Sequence, residues 1–325
     1  MKKNLIKIIK YLLIFTGIII FFVFVATLNI NKVKLALSNV TILSIILVLL
    51  LTIAITLIKA LRWKLLIKRI TGLNISMSFS FFSILAGFAA GTFTPGRGGE
   101  IAKPLMIKST YDVSLSKSIS AVVIEKMLEL SATVFLAVGS IILLGGTILK
   151  DNIMISVCGA IVLIFLFLIV KFPFLIEKVA KFFFSKIIVI KSIKEQILKL
   201  IGVFFESLNT LKKKKAAILF LSISLISDLL EVIKLYFIFN FLGIEISFIY
   251  VLFILEASIL FALATMVPGG IGVTEIAQAQ AFSLFNVADL QLSKMGILID
   301  RILSYYLLVL CGAIILIFYG FFRKK

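Results

Sequence analysis

Histidine is absent from this chain of 325 residues, tryptophan occurs once and cysteine twice. Without imidazole there is no histidine proton relay, and only carboxylate relays stay open. Cys158 and Cys311 lack CxxC spacing, so neither a metal site nor a disulfide framework is expected, and both read as small apolar packing residues. Acids are scarce, 15 Asp and Glu against 34 Lys and Arg, which gives a net charge of +19. Such a balance suggests nucleic acid, but the basic residues fall between long apolar runs, and no nucleic-acid partner is expected. There is no DxD-type motif for a nucleotide sugar and no stretch left over for a water-soluble domain.

Apolar side chains make up 62% of the chain, mean hydropathy is +1.23, and runs near spanning length occur at 11–28, 41–58, 153–170 and 302–322. The solvent of this protein is a bilayer. The N-terminal Lys2-Lys3 and the run behind it also fit a signal peptide. That run exceeds the usual apolar core of about 7 to 15 residues, and Val25-Ala26-Thr27-Leu28 is no A-x-A site, so a retained first span is expected.

Placing the cations orders the spans. If 11–28, 41–58, 118–145, 153–170, 216–241 and 297–320 cross while 77–107 and 249–285 turn back, 26 Lys and Arg lie on one side and 4 on the other. The positive-inside bias then puts both termini in the cytoplasm, in a multi-pass protein of the plasma membrane. The predicted fold class is an all-α polytopic membrane protein of two inverted-topology repeats, 1–147 and 148–325, each of three spans and one re-entrant helical hairpin. If the hairpins cross fully, there are up to ten spans. Segment 171–215 is the one long polar interval, with Ile193, Ile197, Ile201, Phe204, Phe205 and Leu208 at helical spacing, and reads as an amphipathic cytoplasmic helix. Lys212 to Lys215 close it with a run that attracts anionic headgroups.

The repeats show most plainly in two turns. Pro95-Gly96-Arg97-Gly98-Gly99-Glu100 in the first half is echoed by Pro268-Gly269-Gly270-Ile271-Gly272-Val273-Thr274-Glu275 in the second. At the same distance after each Glu comes an acid followed by a base, Glu125-Lys126 and Asp300-Arg301. Proline ends a helix and clustered glycine lets backbone approach a ligand. A half-helix starting at Gly98 or Gly272 would aim free N–H groups at a phosphate, with Arg97 adding a bidentate donor. The bland alternative is a tight turn whose glycines only permit packing.

Four cations, Arg97, Lys126, Lys234 and Arg301, and eight acids, Glu100, Glu125, Glu129, Asp228, Glu231, Glu256, Glu275 and Asp300, fall at membrane depth. Each costs about 2.5 to 3.5 kcal/mol near the bilayer centre, so they must face one another, water or a substrate. Glu125 and Glu129 share one helix face, as do Asp228, Glu231 and Lys234. Buried pairs that merely fix helix register are the alternative for the last three. Arg62 and Trp63 follow the second span, where an interfacial anchor and headgroup entry point belong.

Thr94-Pro95-Gly96-Arg97-Gly98-Gly99-Glu100, Glu125-Lys126, Pro268-Gly269-Gly270-Ile271-Gly272 with Glu275, and Asp300-Arg301 resemble the lysylphosphatidylglycerol synthase transmembrane-region family over essentially the whole chain. The resemblance implies movement of a lipid between leaflets, as in the flippase half of the multiple peptide resistance factor. The chain ends at Lys325, so an aminoacyl-transferase domain is not expected, and Lys103 and Lys126 stand where the family leads one to expect Arg. Lysine keeps the charge but loses bidentate phosphate geometry.

The expected function is a flippase-like carrier of an anionic phospholipid or polyprenyl-phosphate lipid. Its headgroup would be bound by Arg97, Gly98, Gly99, Glu100, Lys126, Gly270, Gly272 and Arg301. Glu125, Glu129, Asp228, Glu231, Lys234, Glu275 and Asp300 would line the cavity or relay charge. Membrane lipids are the expected partners, a homo-oligomer stays open, and no cofactor, metal or catalytic residue is expected. The alternatives are a membrane-embedded transferase acting on a polyprenyl-phosphate-linked sugar, with Glu125 and Glu129 as base and metal ligand, and a scaffold that recruits envelope enzymes through its basic surface.

Overall fold

The computed structural model describes residues 19–111, 113–144, 202, 214–265 and 267–322, and among them every regular element is helical. The chain runs from α1 (19–26) through α2 (Ile30–Leu37), α3 (Ile42–Thr71) and α4 (Met77–Thr92) to a 3-10 turn at Pro95–Ile101, then α5 (Ala102–Thr110) and α6 (Leu115–Leu144). It resumes with α7 (Lys214–Phe241), α8 (Phe248–Thr265), a second 3-10 turn at Pro268–Gly270, α9 (Val273–Leu284) and α10 (Leu290–Asp300). A π-helical segment, Arg301–Tyr306, joins α10 to α11 (Leu307–Phe322). Long helix, shorter helix, Pro-Gly turn, short helix and long helix thus occur twice in the same order. The predicted span at 153–170, nearly all of the insert 171–215 and residues 11–18 of the span at 11–28 lie outside the described residues, as does Cys158, while Cys311 is a free thiol.

Among the described residues, five segments are long and apolar enough to cross a membrane: α3, α6, most of α7, α8, and the stretch from Leu290 to Tyr319. Side chains such as Ile42, Leu43, Leu50, Phe135, Ile142 and Ile218 stand exposed along them, as a lipid-facing surface requires. Of the five segments, α8 falls inside the predicted turn-back at 249–285 and by length and composition meets what a span requires.

Local chemistry sets the helix ends. Thr41 and Ser44 form a reciprocal capping box at the start of α3, and Gly72 ends it in the left-handed conformation, φ 78°, its N–H bonded to Lys68 O at 3.0 Å. At 30 residues α3 runs about 45 Å, well past the predicted end at 58. Its polar second half, with Lys59 and Arg62, is therefore a continuation of the helix into the interior. Ser76 caps α4, and Asp289 caps α10 by accepting from the N–H groups of Gln291 and Leu292. Burial works against the charge of Asp289, but the Lys32 hydrogen bond and those two N–H groups hold its carboxyl below the usual range.

Packing relies on small residues where backbones approach. A Cβ on Gly312 of α11 would sit 2.0 Å from Leu85 O and 2.8 Å from the Ala89 side chain, so only glycine lets α11 lie this close on α4. Two apolar clusters flank the centre. One gathers Trp63, Leu66, Ile67, Ile107 and Ile124; the other gathers Val232, Phe239, Ile254 and Phe282, with the Phe239 and Phe282 rings 4.7 Å apart. Between the clusters the two Pro-Gly turns touch, and the Tyr305 hydroxyl links the second turn to the end of α4, its proton shared between Gly269 O at 3.0 Å and Thr92 Oγ1 at 3.2 Å.

Candidate functional site

A cavity of about 400 Å³ opens where the turns meet, walled by α3, α4, α6, α7, α8 and the π segment. Arg97, Glu100, Glu125, Lys126, Glu129, Asp228, Glu231, Lys234, Asp300 and Arg301 all line it, and Gly269 and Gly270 contribute backbone. Glu275 lies behind this lining, fully buried, with Arg301 Nε 3.0 Å from its Oε1. No N–H aligns with either Glu275 oxygen, so this pair is a charge contact without a hydrogen bond.

The ion pairs repeat as the motifs do. Glu100 after the first turn meets Lys126, and Glu275 after the second meets Arg301. Arg62 of α3 holds Glu125, Nη2 to Oε1 3.2 Å, while Lys234 of α7 holds Asp300 at 2.9 Å. Each half thus uses a cation from its first long helix to hold the acid of its last. Lys59 and Glu231, each one helical turn before Arg62 and Lys234, pair with each other and join α3 to α7 across the middle of the molecule. The first half is the more charged. Lys103 bridges Glu100 at 2.9 Å and also meets Glu125, and Glu129 accepts from Lys126 at 2.7 Å and from Arg62. Where the first half has Lys103 and Glu129, the second has neutral Gln278 and Ser304 at the corresponding places.

Arg97 stands apart. It is the one cavity-lining cation without a carboxylate within salt-bridge distance among the described residues, and its guanidinium lies 5.7 Å from the centre of the Phe88 ring. Its backbone is left-handed, φ 56°, as is Gly96 at φ 59°. The second turn places glycines at both matching positions, Gly269 at φ 64° and Gly270 at φ 65°. A non-glycine residue held in this region costs about 1 kcal/mol or more, and such strain collects at functional sites. The fold keeps an arginine where glycine would be easier.

Several expectations need correction. Arg62 and Trp63 are not an interfacial anchor or entry point, because both are fully buried. Arg62 donates to Ser224 Oγ at 2.8 Å besides its two glutamates, and the Lys103 ammonium sits 4.8 Å above the Trp63 ring. Lys59 and Lys103, counted with the cytoplasmic cations, belong to the interior network. The first turn does not open a half-helix at Gly98. The 3-10 turn continues to Ile101 and α5 begins at Ala102, which leaves Gly98 exposed outside the lining. Gly99 is a packing glycine, since a Cβ there would strike Ala90 O at 2.0 Å. Gly272 does precede a helix, α9, but does not line the cavity. Glu125 and Glu129, the carboxylates a transferase would need free, are both held by Arg62. The sequence carried a signal for Arg62: its separation from Lys234 along the chain is nearly that of the duplicated motifs.

The family described as lysylphosphatidylglycerol synthase TM region matches residues 7–312. This chain belongs to that family. A UPF0104 membrane protein of Pyrococcus horikoshii is 30% identical over 95% of this chain and 96% of its own length. A UPF0104 membrane protein of Methanocaldococcus jannaschii is 25% identical over 91% and 92%. For the lysylphosphatidylglycerol synthase transmembrane-region family, the expectation of an integral membrane protein holds, and the matched span includes both Pro-Gly turns and every charged pair of the cavity.

Proposed function

We propose that this protein carries an anionic phospholipid or polyprenyl-phosphate lipid between leaflets, its phosphate seated on Arg97 while the tails stay in the hydrocarbon. The observation behind this reading is Arg97 itself, a backbone-strained guanidinium with no carboxylate within salt-bridge distance among the described residues, in a cavity whose other lining cations are all paired. Guanidinium suits phosphate through bidentate donation, and a volume of about 400 Å³ fits a headgroup rather than a whole lipid. Lys126 and Arg301, beside the two turns, supply secondary positive charge. The family's name, with a phospholipid in it, agrees.

Alternating access comes from inverted repeats, 1–147 and 148–325, rocking about the α3–α7 contact, with the Pro-Gly segments as re-entrant hairpins and both termini on the cytoplasmic side of the plasma membrane. Contacts that exchange in pairs support the repeat. The helix before each Pro-Gly turn, α4 or α8, packs on the last helix of the other half, α11 or α6, while α3 meets α7 and turn meets turn.

The test is translocation of a fluorescent anionic phospholipid in proteoliposomes. Wild type is expected to move it, Arg97→Ala to slow it at least tenfold, about 1.4 kcal/mol or more for a charged hydrogen-bonded contact, and Arg97→Lys to recover part. An Arg97→Ala rate equal to wild type would remove the assigned site.

A further inference from the structure

Of the eight acids at membrane depth, two are left over once the matched pairs are accounted for. Glu100, Glu125, Glu129, Glu231, Glu275 and Asp300 each have a cation within salt-bridge distance; Asp228 and Glu256 have none among the described residues. Glu256 is 1% exposed, and its Oε2 has no hydrogen-bond partner. Asp228 lines the cavity, accepts from Ser227 Oγ at 3.3 Å through Oδ1, and leaves Oδ2 buried and unpartnered. These acids have no part in the duplicated scheme, since α4, which corresponds to α8, contains no ionisable residue, and Thr56 of α3 stands where α7 has Asp228.

The surroundings of Glu256 are predominantly negative. Within electrostatic reach of Glu256 are Asp228 and Glu231 of α7, the Lys59 ammonium of α3, already held by Glu231, and the Thr133 hydroxyl of α6. Glu129 of α6 and Arg62 of α3 act on Asp228 and are paired to each other. α9 also packs on α8, but its one acid, Glu275, is turned to Arg301. Burying an ionised carboxylate without a counter-cation costs far more than neutralising it with a proton. A metal ion is the other way to balance such charge, yet among the described residues no three acidic, histidine or cysteine side chains are grouped to hold one.

We propose that Glu256 is a proton-binding site, loaded from the cavity through Asp228, whose protonation state is coupled to which face of the membrane the cavity opens to. The proton bonds to a Glu256 carboxylate oxygen when Asp228 passes it inward and returns by the same oxygen. The net change is one O–H bond formed or broken, with no redox partner. Release leaves a bare carboxylate beside Asp228 and Glu231, and their repulsion favours separation of α8 from α7, the motion a rocking second half requires. The transport consequence rests on the lipid-carrier reading; the proton site itself does not.

The experiment has two readouts on the full chain. Infrared difference spectra of the protein in nanodiscs, titrated with pH, should contain the carbonyl stretch of a protonated carboxyl group that disappears in Glu256→Gln and shifts its midpoint in Asp228→Asn. In proteoliposomes loaded with a pH-sensitive dye, an imposed pH gradient should change wild-type lipid translocation at least threefold, with accompanying proton movement. Glu256→Gln should translocate at a rate indifferent to the gradient, and replacing Na⁺ by K⁺ or choline should change nothing. An unchanged carboxyl band in Glu256→Gln, or a variant that responds to the gradient as wild type does, overturns the proton site. A sodium-dependent response overturns it in favour of a cation. If wild type moves no lipid while the band behaves as expected, the carrier reading fails and the proton site stands.

Discussion

Arg62→Met is expected to lower stability by about 3 to 5 kcal/mol, a loss that would appear as a fall in thermal midpoint and poor recovery of monodisperse protein from detergent. Methionine fills the space of the arginine stem but leaves Glu125, 1% exposed, with only Lys103, and Glu129 with only Lys126. It also strips Ser224 Oγ of its donor. Removing one member of a buried ionic cluster costs mainly through the charge left behind, so neutralising one acid as well should recover much of the loss. The double variant Arg62→Met, Glu125→Gln, which leaves Lys103 and Lys126 against Glu100 and Glu129, is therefore expected to be more stable than the single one. A surface anchor at this position would contribute about 0 to 1 kcal/mol, and a single-variant loss in that range would contradict the buried network.

Lys59→Glu should be nearly as severe, because the new carboxylate faces Glu231 with Asp228 and Glu129 close by. Adding Glu231→Lys restores one attractive pair across the α3–α7 contact, and a double-mutant cycle should return a coupling of about 1 to 3 kcal/mol. Recovery will be incomplete, since a lysine at 231 also approaches Lys234. Zero coupling would mean that α3 and α7 are not apposed at this level, and the paired arrangement of the two halves would fall with it.

Sequence reasoning reaches the bilayer, the helical fold, the duplicated turns and most of the cavity wall, because each rests on local composition or on spacing repeated within the chain. It fails at Arg62 and Trp63 for a definite reason. Hydropathy drops at Lys59, so a span appears to end at 58, whereas the whole stretch from Thr41's cap to Gly72 forms one helix. The charges in its second half are turned inward, onto acids of α6 and α7 that are 63 to 172 residues away in the chain. Partner choice at that distance is a tertiary fact. The glycines separate in the same way: Gly98, Gly99, Gly270 and Gly272 look alike as letters, yet Gly270 lines the cavity, Gly99 is packed against Ala90, and Gly98 is exposed. The pairing of Glu100 with Lys126 and Glu275 with Arg301, by contrast, follows from the repeated offset.

The central claim is that Arg97 holds a lipid phosphate inside a membrane cavity, and its most direct test is mass spectrometry of lipids retained through purification. Wild type is expected to retain a phosphate-bearing lipid, and Arg97→Ala of unchanged thermal stability to lose at least nine-tenths of it. Equal retention by a well-folded Arg97→Ala protein, or a wild type that holds only phosphate-free lipid, would contradict the account.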